Sequence, residues 1–174
     1  MKKLFLSITI LVITGLVSTA CVEYFYSNEF KFTLTVTLDK TEAIIGDTII
    51  ATAVFKDIST LSLAQKKPYE VELPDWIVAE GGKNKEDILR VVFTANEDFN
   101  WDDYLQPYKN IETKIKRKVK IKGGEAIKKE FKYTITEAKD LEVHAAAFYI
   151  EGDFHFYYGL IGFSDPVKIT VKEQ

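Results

Sequence analysis

The amino-acid sequence predicts an all-β domain of stacked antiparallel sheets standing behind an export leader. Three observations lead there. Several short runs alternate apolar and polar residues, the period of a strand with one wet face. Aromatic residues make up 13% of the chain, with Phe and Tyr dominant, which favours strands over helices. An uncharged run, Leu4 to Val17, follows Met1-Lys2-Lys3 and ends just before the only cysteine, Cys21.

A length of 174 residues fits one domain, and 47% apolar with 28% charged residues is a composition that buries a core rather than staying disordered. The formal net charge is −3, and it becomes −5 without residues 1–21, which hold Lys2 and Lys3 and no acid. A mildly acidic domain has no overall attraction for nucleic acid, so none is expected as a partner.

The leader has a basic start, an apolar middle and small residues, Ser18-Thr19-Ala20, before Cys21. That is the anatomy of an export signal. As a helix, the apolar run reaches only about 21 Å, short of the roughly 30 Å hydrocarbon core. A retained membrane anchor is therefore the less favoured alternative. Val17-Ser18-Thr19-Ala20-Cys21 resembles the lipobox of bacterial lipoproteins. The resemblance implies cleavage before Cys21, acylation of its thiol, and a membrane as the first partner. Ser18 stands where that pattern carries an aliphatic residue, and ordinary cleavage after Ala20 remains open. Val22 rather than Asp after the cysteine implies, by the same resemblance, passage to an outer membrane where one exists. A lone thiol on an exported chain also lacks a disulfide partner, which acylation would resolve.

Residues 22–29 read as a tether, and residues 30–174 as the folded domain. Phe30, Phe32, Leu34, Val36 and Leu38 face one way and Lys31, Thr33, Thr35 and Thr37 the other. Asp39 to Asp47 reads as a turn, and Thr48 to Lys56 as a second strand with apolar residues on both faces. This pair resembles the opening of bacterial immunoglobulin-like domains, with Asp39-Lys40 ending one strand and Gly46-Asp47-Thr48 leading into the next. Leu141 to Ile150 and Ser164 to Lys172 resemble the last two strands of that family. The resemblance implies an immunoglobulin-like antiparallel β-sandwich and no particular activity.

Between these ends, Tyr69 to Leu73 and Ile88 to Ala95 read as strands, and Asn96 to Asn110 as an aromatic, acidic loop. Lys114 to Ile121 and Ile127 to Thr136 read as a hairpin around Gly123-Gly124. A three-residue loop, Lys122-Gly123-Gly124, sets Val119 opposite Ile127 and Ile115 opposite Phe131, with Gly124 in the left-handed position.

Each candidate site has a structural alternative. Lys114, Lys116, Lys118, Lys120 and Lys122 would project from one strand face as a basic strip for anionic surfaces. Lysines equally guard an edge strand against pairing. Asp98, Asn100 and Asp102 have the alternate spacing of a calcium loop, so a structural Ca²⁺ is possible chemistry there. Asp103 and Lys109 nevertheless stand where an EF-hand needs Gly and Glu. Trp101, Asp102, Asp103 and Tyr104, with Trp76 and Tyr108 nearby, could stack and hydrogen-bond a sugar ring, or could cap the core. His144 and His155 are too few for a zinc site. Ser164 and His144 lie in no nucleophile-turn motif. The expectation is a non-catalytic, lipid-anchored envelope module whose loops meet a protein or glycan. The alternative is a structural subunit that assembles by strand addition or sheet-face packing. Protein extracted from native membranes is expected to carry an acyl mass on Cys21, and Cys21→Ser is expected to shift most of the chain into the soluble fraction. An unmodified cysteine in intact-mass data would overturn this.

Overall fold

The computed structural model describes residues 19–25, 31–57, 69–149 and 159–173. It is all-β with few helical turns and several antiparallel sheets. The strands are β1 (Thr19–Phe25), β2 (Lys31–Leu38), β3 (Glu42–Ile44), β4 (Thr48–Asp57), β5 (Tyr69–Glu72), β6 (Leu89–Thr94), β7 (Lys118–Ile121), β8 (Ala126–Thr134), β9 (Leu141–Tyr149), β10 (Gly159–Phe163) and β11 (Val167–Lys172). Two short helices, α1 (Asp75–Ala79) and α2 (Trp101–Leu105), complete the elements needed below. The apolar leader up to Val17 lies outside the described residues, as do residues 26–29 of the expected tether. Val22 to Phe25 run in β1.

One sheet has the order β1-β2-β4-β8, all antiparallel. In the other, β9 is the central strand. Glu142 to Ala147 pair with β6, while β10 takes Ala146 to Tyr149 and β11 takes Leu141 to Val143. Since residues 142, 143, 146 and 147 each have two partners, β10 and β11 must follow one another along one edge and β6 must occupy the other. β3 then adds to β11 in parallel. The kink between β10 and β11 is closed by Ser164, whose Oγ accepts from Ala145 N at 3.2 Å and whose N donates to Ala145 O at 2.9 Å.

The sheets pack face to face, β2 and β4 against β9 and β6. The alternation read from β2 holds: Phe32, Leu34, Val36 and Leu38 are buried. β4 contributes Ile49, Ala51, Ala53 and Phe55, and β9 contributes Val143, Ala145 and Ala147. The Asp39-Lys40 and Gly46-Asp47-Thr48 motifs organise the crossover between the sheets. Asp39 Oδ1 accepts from Ile50 N at 2.8 Å. Asp47 Oδ2 accepts from Ile44 N at 3.2 Å and pairs with Lys40 at 2.9 Å. Gly46 takes a φ of 92° that a side chain disfavours.

The expected hairpin does not form. β7 pairs with β5, Val119 opposite Val71, and β8 pairs with β4, Ile127 opposite Phe55. The turn itself has the expected shape, with Gly124 at φ 77° and Glu125 N donating to Lys122 O. It therefore turns the chain from a small two-stranded ribbon into a separate sheet. Lys114 to Arg117 are irregular, and Ile115 is 59% exposed rather than core-facing. The expected 39–47 turn contains β3, and α2 lies in the expected 96–110 loop.

A short turn before β6 is fastened to β8 by Asp87. Its Oδ2 accepts from Lys83 N and Asn84 N, both at 2.8 Å, and its Oδ1 from Lys129 Nζ at 2.9 Å. Burial works to raise its pKa, but the Lys129 and backbone hydrogen bonds outweigh it and bring the carboxyl down to about 2. The exit from α1 is tight. A Cβ on Gly82 would lie 2.4 Å from Ile77 Cγ2 and 2.7 Å from Ile77 O, whereas one on Gly124 would meet nothing within 4 Å. Gly82→Ala is expected to cost roughly 2 kcal/mol and Gly124→Ala about 1 kcal/mol, the first through overlap and the second through its left-handed backbone alone. Denaturant midpoints in the reverse order would refute this.

Candidate functional site

β9 is buried on both faces. Its inner residues join the core between the sheets, while His144, Ala146 and Phe148 point outward and are buried as well. A third layer covers them. α1 follows Pro74, which ends β5's extended run and starts the helix. Trp76, at 1% exposure, meets Phe148 edge-on at 5.4 Å and Tyr108 at 4.8 Å. The Arg90 guanidinium lies 5.1 Å over the Trp76 ring. Arg90 also donates to the Asp87 and Leu89 carbonyls at 3.0 and 3.2 Å and to Glu80 Oε2 at 3.2 Å. Strand, preceding turn and helix exit are thus held through one side chain.

α2 completes the cover. Asn100 caps it: Oδ1 accepts from Asp103 N at 2.8 Å, and Nδ2 donates to Asp103 Oδ2 at 2.6 Å. Trp101 is buried, edge-on to Phe148, Phe99 and Tyr104 and stacked at 5.8 Å on Phe163. Burial pushes the Tyr104 hydroxyl up to about 12, helped by Tyr108 and Glu80. It therefore stays a neutral group at any ordinary pH.

The four residues expected to bind a ligand are thus divided between two environments. Trp101 belongs to the core, as does Trp76, and neither offers a ring face for stacking. Tyr104 is half-buried, and Asp102 and Asp103 are exposed. Of the calcium-type residues, Asp98 and Asp102 are exposed, and Asn100 is spent on the helix cap. Among the described residues, no group of three or more His, Cys, Asp or Glu side chains is placed to hold a metal.

The five lysines are all exposed, but they do not share one strand face. Lys118 and Lys120 lie in β7 opposite Glu72 and Glu70. Lys120 pairs with Glu70 at 3.9 Å, and Lys116, from the irregular segment, with Glu72 at 3.3 Å. Lys114 and Lys122 flank the ribbon. The outer face of the ribbon is consequently a chequer of both signs, weakly attractive to an anionic surface. Cys21 lies in β1 opposite Thr35.

Two features were not legible from sequence. A cleft of about 160 Å³ opens between the edges of β6 and β8, lined by Phe93, Ala95, Tyr133, Ile135, Glu137 and Lys139 among others. Phe93 and Tyr133 stack across it at 4.8 Å. Only the tertiary pairing brings these residues together. The second is His144. Its Nε2 lies 3.3 Å from Glu142 Oε2 but without hydrogen-bond geometry, Glu142 also meets Lys168 at 3.4 Å, and Phe99 packs on the ring at 4.5 Å. His155 lies outside the described residues.

No family model, curated protein or solved structure matches this chain. Among the described residues, no helix is long and apolar enough to cross a membrane.

Burial lowers the His144 pKa below its ordinary 6.5, against the pull of Glu142, which raises it. The unfolded chain therefore takes up this proton more readily than the folded one. The contribution is present above about pH 6.5 and is lost as the pH falls below it. Urea midpoints of the wild type are expected to drop between pH 7 and pH 5 more steeply than those of His144→Gln. Equal slopes would overturn the assignment.

Proposed function

We propose that this protein is a lipid-anchored, non-catalytic envelope module with an immunoglobulin-like sandwich, acylated on Cys21, that engages a protein or glycan partner through its outer aromatic layer. The immunoglobulin-like reading is supported by strand order. β2-β4-β8 facing β6-β9-β11 corresponds to the A-B-E and C-F-G strands of that architecture, and β3 stands as an early strand transferred to the last one. The observation that carries the binding reading is the α1–α2 cover. Buried Trp101 and the Asn100 cap hold α2 in one position, so Asp102, Asp103 and the half-buried edge of Tyr104 are presented on a preorganised support. The non-catalytic reading draws on the engagement of the candidate catalytic groups: Ser164 Oγ closes the β10–β11 kink and His144 is packed beneath Phe99.

A second reading, assembly by strand addition, draws on the contrast between two edges. β8 carries Lys128, Lys129, Glu130 and Lys132, which oppose pairing, whereas β6 pairs, among the described residues, with β9 alone and holds half-buried Val91, Val92 and Phe93 with Arg90 as its one charge. A stable multimer of the purified chain would favour it.

Asp102→Lys combined with Tyr104→Phe leaves the buried ring contacts in place. The pair is expected to weaken co-purification of a partner from native envelopes by tenfold or more, about 1.4 kcal/mol, in a chain that still folds but loses about 1–2 kcal/mol of stability with the Tyr104–Tyr108 hydrogen bond and the first-turn carboxylate. Unchanged capture by the folded variant would remove this surface.

A further inference from the structure

Among the described residues, the exposed large hydrophobics are Ile44, Ile45 and Ile115, and two of these are adjacent at 39% and 45% exposure. Ile44 ends β3, and Ile45 begins the turn into β4. The turn is held firmly: Gly46 N donates to Ile135 O at 2.9 Å, and Ile135 N donates to Asp47 O at 2.8 Å. These side chains therefore project by construction.

Strand register shows which end of the sandwich this is. Thr19 pairs with Thr37, one residue before the end of β2, and Leu38 pairs with Ala51 near the start of β4. The turn carrying Ile45 leads directly into β4 at Thr48. The chain thus enters β1 from the end that bears the two isoleucines: an uncleaved leader joins there, and in a chain cleaved before Cys21 the lipid-bearing residue, opposite Thr35, lies two residues along the same strand. With strands about 4.8 Å apart and sheets about 10 Å apart, the separation is on the order of 15 Å. Charges beside the turn offset one another: Lys40 with Asp47 at 2.9 Å, Lys139 with Glu137 at 3.0 Å, and Lys172 with Glu42. Such a rim supplies little attraction for anionic headgroups, and its apolar tip suits the acyl boundary of a bilayer.

We propose that the Ile44–Ile45 turn is a membrane wedge, seated in the boundary of the bilayer that holds the chain's own leader or Cys21 lipid. The proposal rests on the membrane-anchorage reading. It also fixes orientation: the end of the sandwich with the β7–β8 turn, near Lys122, faces away from the lipid, roughly 30 Å distant along β4.

The test uses full-length protein extracted from native membranes and reconstituted into phosphatidylcholine vesicles, with a polarity-sensitive dye on Ile45→Cys or Lys122→Cys. The parent chain, carrying whatever dye Cys21 accepts, supplies the baseline. Brominated acyl chains are expected to quench the dye at position 45 at least about threefold more than at 122, with little dependence on salt. Flotation with equal quenching at both positions overturns the wedge and spares the anchor. Shielding of position 45 from water without bromolipid quenching means that protein covers the turn, and it too overturns the wedge. Failure to float with the vesicles overturns the anchorage reading and the wedge together.

Discussion

The structure turns on β9, a strand buried on both faces. Ala145, Ala146 and Ala147 are its middle, each at 1% exposure or less. Small side chains let the opposing sheet approach from one side and an aromatic layer from the other. A larger residue at these positions would push one layer away, because close-packed interiors accommodate added volume poorly. β10 and β11 share one side of β9 and β6 takes the other, so both sheet closure and the α1–α2 cover refer back to it.

This explains which parts could be read from the sequence. β2 was legible because one of its faces is wet and its alternation is complete. β4 and β9 were recognisable as strands, but apolar residues on both faces of each, and double burial in β9, remove the period that would say what lies on each side. The leader and its cysteine are a pattern of residue types read independently of folding, and the apolar run lies outside the described residues. The 39–47 motifs were legible too, and their chemistry now has a form: two aspartates satisfy the backbone N–H groups at a crossover between sheets.

The remainder depended on tertiary pairing. Gly123-Gly124 gave the right local turn, but parity between flanking strands cannot distinguish a hairpin from a corner between sheets. The partners chosen, β5 and β4, lie far away in sequence. Helix α2 had a usable sign, an Asn followed three residues later by an Asp, which the aromatic and acidic character of the segment obscured. Tryptophans placed among acidic residues invited a ligand-stacking interpretation, yet the uncovered outer face of β9 is where their apolar area is needed. The lysines were individually correct as exposed residues. That Glu70 and Glu72 sit opposite them was not foreseeable, because it follows from the β5–β7 pairing.

Arg90 shows how narrowly chemistry can be specified away from any binding surface. Its flat fork meets two carbonyls and a carboxylate while its plane lies over an indole. A lysine would keep the charge but would lack the multiple donors and the planar stack. Positions 76, 80 and 90 are therefore energetically coupled: removing the indole or the exposed Glu80 carboxylate strips a partner from a largely buried guanidinium, so the costs of changing them will not simply add.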